Sequence, residues 1–151
     1  MENTKEITLS VLEDLINTCS EEYILFKTAS EKITNPSLKD ILNNCADEKD
    51  IIIHKLEKEI TRLGGKFNVK NPLIFNKFLE YFDPYKGDME ILTLCEKMDN
   101  IVLNKYYEAM NGDILWEVVP LVAKQYFNSV NLHRRIMYSL KKSDPQRLAF
   151  S

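Results

Sequence analysis

Five ionisable residues stand where apolar side chains are expected, and together they could bind a metal ion. Glu22 lies seven residues from both Leu15 and Ala29. Glu48 follows Cys45 by three residues and precedes Ile52 by four, and Glu96 and Asp99 interrupt the row Met89, Leu92, Leu103, Tyr106 and Met110. His133 falls between Val130 and Met137. A carboxylate or imidazole is costly to bury unless it is paired or coordinates a metal, so such positions mark a site. Carboxylates with one imidazole form a hard, oxygen-rich set suited to iron, manganese or zinc.

These residues need long helices to bring them to one level, and the sequence has the signals for four. The first carries Leu9, Leu12, Ile16, Cys19, Tyr23, Phe26, Ser30 and Ile33 at alternating steps of three and four. Ser10 with Glu13 reads as a capping box at its start, and Asn35-Pro36 as its stop. The second opens with Ser37 as N-cap, repeats Leu38, Ile41, Leu42, Cys45, Ile52, Leu56, Ile60 and Leu63, and closes at Gly64-Gly65. The third follows Asp88 and ends at Asn111-Gly112. The fourth runs through Leu115, Val119, Val122, Tyr126, Val130, His133, Met137 and Leu140, with Pro120 near its first turns or at a kink.

Between the second and third helices, about residues 64–88 form a crossover that carries a short helical pattern from Pro72 to Tyr81. The expected fold is an all-α antiparallel four-helix bundle, one domain over residues 1–151 with a core from about 8 to 140. Counted from the turn near Asn35, Glu22 and Glu48 each lie about 13 residues away, at equal height. Around Gly112, Glu96 lies about 16 residues before and His133 about 21 after, a looser match.

With helix A carrying Glu22, ADEKD in helix B, LGG after it, CEKMD and YYEAM in helix C and NLHRR in helix D, the chain resembles the ferritin-like superfamily. Within it the chain is similar to small bacterial ferritin-like domains without an established function. In the di-iron members two helices each give a Glu and two each give a Glu-x-x-His pair. Here Ile51 stands three residues after Glu48 where that pattern has His, and Val130 stands three before His133 where it has Glu. The resemblance therefore implies a metal role only for Glu22, Glu48, Glu96 and His133, with Asp99 as an addition, and a role in iron handling or stress response. Oxidation of iron(II) would need further ligands for a second ion.

The same residues also allow a bundle without metal. His133 can be protonated between carboxylates, or Lys49 and Arg134 can reach over to neutralise them, which makes the chain a helical interaction or scaffold module. His54, beside Asp47, Asp50 and Lys58, reads as solvated. Trp116, Tyr23, Tyr106 and Tyr126 read as core.

Composition limits the partners. Twenty basic and 23 acidic residues are interspersed at a net charge of −3, which excludes a face built for nucleic acid. No run approaches the roughly 18 apolar residues of a membrane span, and no signal peptide is evident, so the chain reads as cytoplasmic. Cys19, Cys45 and Cys95 are far apart and read as buried thiols. Phe75, Phe78, Tyr81, Phe82 and Tyr85 crowd the crossover, either as a homodimer interface or as a cap on the bundle. No nucleophile elbow or glycine-rich phosphate loop points to catalysis.

Overall fold

The computed structural model describes residues 3–67 and 87–143. These form four α-helices: α1 (Thr4–Lys32), α2 (Pro36–Arg62), α3 (Asp88–Met110) and α4 (Val119–Ser143). The short helix expected at Pro72 to Tyr81 and the aromatic cluster from Phe75 to Tyr85 lie outside the described residues.

Two helix starts differ from the sequence reading. Asn3, not Ser10, caps α1, its Oδ1 accepting from the Glu6 amide at 2.8 Å, so the helix begins about two turns earlier. An amide side chain at Asn3 already satisfies the first free N–H groups, which leaves Ser10 inside the helix. Asn35, not Ser37, caps α2 by accepting from Ser37 N at 2.9 Å and Leu38 N at 3.2 Å, with Pro36 at the first helical position. Proline costs nothing there, because its missing N–H would have had no helical partner.

Three tethers fix the direction of each helix. Gly64, at φ 83°, ends α2, and Gly65 lies so close to α1 that a Cβ there would stand 2.8 Å from Leu9. At the other end, the Asp88 carboxylate accepts from Thr34 N and Oγ1, both at 2.9 Å, and from Asn35 N at 3.0 Å. Partial burial works to raise the Asp88 pKa, but the Thr34 and Asn35 backbone donors, the Thr34 hydroxyl and the Lys39 charge together hold the carboxyl below its ordinary value. Leu115 N donates to Thr8 Oγ1 at 2.8 Å and pins the α3–α4 turn beside the start of α1. Helix α1 therefore runs one way, α2 and α3 run back parallel to each other, and α4 returns parallel to α1. Residues 67 and 87 stand at opposite ends, about 40 Å apart along the axis.

Helix α1 packs against both α2 and α3, α4 packs mainly against α3, and the α2–α4 side is the most open of the four. Leu12, Leu15, Ile16, Phe26, Leu42, Leu56, Leu92, Val102, Val122, Leu132 and Ile136 fill the interior. Tyr106 is fully buried, as expected, and Tyr23 and Tyr126 are half-buried against the core. Trp116 is not core: it is 84% exposed, because its turn neighbours Ile114 and Val118 take the inward places. Among the described residues no helix is long and apolar enough to cross a membrane.

Candidate functional site

The interior carries polar side chains at mid-height, and each helix supplies them from a regular stripe. On α1 the stripe is Leu12, Leu15, Cys19, Glu22, Phe26 and Ala29; on α2 it is Leu38, Leu42, Cys45, Lys49, Ile52 and Leu56. On α3 it is Leu92, Cys95, Asp99, Val102 and Tyr106, and on α4 it is Val118, Val122, Gln125, Ser129, Leu132 and Ile136. Steps of three and four along every stripe point all these side chains at the bundle axis. Glu22, Lys49, Asp99 and Ser129 thus meet as one layer inside the core.

Their geometry is that of a polar chain crossing the bundle. Lys49 Nζ stands 2.9 Å from Glu22 Oε1, with both side chains at 0% exposure, and donates to Ser129 Oγ at 3.0 Å. Asp99, also fully buried, lies on the far side, where its Oδ2 is 2.8 Å from His133 Nδ1. His133 is 18% exposed and so connects the layer to solvent.

Burial and charge act together on this layer. Glu22 Oε1 sits at ion-pair distance from Lys49 without hydrogen-bond alignment, and Glu22 Oε2 and Asp99 Oδ1 are buried with no hydrogen-bond partner. Burial pushes the Glu22 carboxyl well above its usual range; Lys49 opposes this, and Asp99 adds to it by charge and by hydrogen bonding. Burial thus favours the neutral form of Glu22, while the Lys49 ammonium beside it favours the carboxylate. Lys49 stays charged: burial opposes its charge, but its carboxylate neighbours outweigh that and hold its pKa above the ordinary value. The Asp99 hydrogen bond raises the His133 pKa against the opposing effect of burial.

A second polar rung lies about one turn along the axis. Tyr106 Oη donates to Gln125 Oε1 at 2.8 Å and lies 3.5 Å from Cys19 Sγ, and Gln125 Nε2 donates to the Ile52 carbonyl at 3.5 Å. All four helices contribute to it. The three cysteines are free and buried. Burial pushes Cys45 up to about 12 and raises Cys19 and Cys95 as well, so these thiols are protonated and unreactive.

Of the sequence-selected residues, the fold brings together Glu22, Asp99 and His133. Glu48 is elsewhere: 42% exposed, it pairs with Arg135 at 3.0 Å. On α2 the inward position is Lys49, one residue and about 100° round the helix from Glu48. Glu96 is half-buried on the flank of α3 and accepts from Asn100 Nδ2 at 3.2 Å. His54 is exposed and bonds the Asp50 carbonyl from Nδ1 at 2.7 Å. Among the described residues, no three His, Cys, Asp or Glu side chains converge in a way that could hold a metal ion.

Residues 7–73 match the family described as Domain of unknown function (DUF2383). The match covers α1, α2 and their turn, and with them Glu22 and Lys49, but under half of the 151 residues. It does not reach Asp99, Ser129 or His133. No curated protein matches the chain.

Proposed function

We propose that this chain is a ferritin-like bundle acting as a helical interaction module, with the Lys49 ammonium standing where a metal-binding bundle would hold an ion. The ferritin-like part rests on helix direction: α2 and α3 run in parallel, the order that a single long crossover produces in such bundles. The observation that carries the functional reading is the 2.9 Å contact between Lys49 Nζ and Glu22 Oε1, with both side chains fully buried. A fixed positive charge against the carboxylate meets the electrostatic need that a bound cation would otherwise serve. The residues as arranged do not fit a metal, since any ion on Glu22 would meet this ammonium. Buried polar groups of this kind fix helix register, which an interaction surface needs. Three free, buried thiols agree with a reducing, cytoplasmic setting.

The competing reading keeps a metal on Glu22, Asp99 and His133, with a role in iron handling or stress response. It draws on the two unpartnered oxygens, Glu22 Oε2 and Asp99 Oδ1, and requires Lys49 to swing out. Anaerobic iron(II) addition, air exposure, gel filtration and elemental analysis separate the two. The interaction-module reading expects no stoichiometric iron on the protein. Iron retained at a fixed ratio and lost in Asp99→Ala would establish the metal reading instead.

A further inference from the structure

The open side of the bundle is a groove between antiparallel α2 and α4. It has a volume of about 440 Å³, and its walls include Ile51, Ile52, Leu121, Gln125, Lys55 and Lys124. Ile51 is 55% exposed there, the kind of apolar surface that folding alone does not require. The Gln125 bond to the Ile52 carbonyl crosses beneath the groove. That link holds the helices together, and no described residue fills the space above it.

Charge favours one kind of occupant. Lys55 and Lys124 are exposed on opposite walls, and neither has an ion-pair partner among the described residues. The groove's carboxylate, Glu48, is already paired with Arg135. Three cations against one anion leave the lining at +2 on a chain of net charge −3. The groove is therefore a basic, partly apolar trough on an acidic protein. From Leu121 to Arg135 it follows α4 for about 21 Å, the length of a helix of ~14 residues.

We propose that this groove docks an acidic amphipathic helix of a partner protein, which deepens the interaction-module reading and rests on it. The partner's apolar stripe lies on Ile51 and Leu121, and its acidic flanks meet Lys55 and Lys124. Helix-in-groove binding uses such a stripe, and flanking charges set which partner is accepted.

The test uses the full chain and three labelled helical peptides of ~14 residues, sharing one leucine stripe but flanked by Glu, Gln or Lys. Fluorescence anisotropy should show the Glu peptide binding at least about tenfold more tightly than the Lys peptide. The Lys55→Glu/Lys124→Glu variant should weaken the Glu peptide by about tenfold or more, and Ile51→Asp by a similar factor, with helicity unchanged. Equal binding of the three peptides, or a Glu preference that survives the double substitution, overturns the proposal. A wild-type dimer that Ile51→Asp converts to monomer also overturns it, because a second copy then fills the groove. These failures would leave the interaction-module reading intact if iron uptake is absent; iron uptake would sink that reading whatever the peptides do.

Discussion

The joints that α2 makes with its two neighbours combine apolar packing and polar links in different proportions. Against α1 it packs closely, with Leu42, Cys45 and Leu56 sharing one interior with Leu12, Cys19 and Phe26, and the buried Lys49–Glu22 pair crosses the same joint. Against α4 the contact is sparser, and beside Ile52, Leu56 and Val122 of the shared core it is crossed by polar links: Lys49 to Ser129, Gln125 to the Ile52 carbonyl, and Glu48 to Arg135. Apolar packing is strong and tolerant of small shifts, whereas hydrogen bonds and ion pairs demand one geometry and add little net stability. The first joint stabilises the fold. The second fixes how the helices align and leaves a groove open to other molecules.

The sharpest way to break this comparison is to remove the internal cation. Lys49→Met should cost about 3–5 kcal/mol in urea unfolding, because it strands buried carboxyl groups without their counter-charge. A loss below about 1 kcal/mol would mean that Lys49 is no more than a solvated flank residue. Adding Glu22→Gln to Lys49→Met should recover much of the loss, since a neutral amide next to an apolar chain needs no counter-charge.

The second rung should be weaker. Tyr106→Phe removes the hydroxyl that joins Cys19 to Gln125 and should cost about 1–2 kcal/mol, with Gln125 left short of a donor. A cost near zero would show that water replaces the hydroxyl there.

Proton linkage gives a smaller but directional effect. His133 and Glu22 both have folded pKa values above their ordinary ones. A group whose pKa is raised by folding stabilises fully below its unfolded value and loses that contribution as pH rises through its folded value. Stability should therefore fall as pH climbs from about 4.3, the ordinary glutamate value, with the His133 part of the loss setting in from about 6.5. His133→Gln should flatten the part of that slope nearest neutrality. A profile that rises over the same window would contradict the Asp99 hydrogen bond. Smallest of all, Glu48→Ala should change stability by less than about 1 kcal/mol, since its pair with Arg135 is 42% and 47% exposed.

Much of the fold was legible in the sequence, because helical periodicity and the turn signals at Asn35-Pro36, Gly64-Gly65 and Asn111-Gly112 are local. Asn3 and Asn35 cap the helices while Ser10 and Ser37 carry the same signal in the sequence, because both residue types cap equally well. The site was half legible. The spacing points Glu22 inward, and Asp99 and His133 stand among the interruptions of the apolar rows, but a metal-ligand pattern favours Glu48 over Lys49. The stepping Leu38, Leu42, Cys45, Lys49, Ile52, Leu56 was present all along and puts lysine on the axis. Which partner each charge meets depends on how four helices rotate against one another, and no local pattern encodes that.

The central claim, that Lys49 serves in place of an ion, is tested most directly by thermal unfolding of the wild-type chain in rising manganese(II) or zinc(II). A ligand that binds only the folded state must raise its midpoint. An unmoved wild-type Tm is the predicted result; a saturable rise in wild-type Tm that disappears in Asp99→Ala would contradict it.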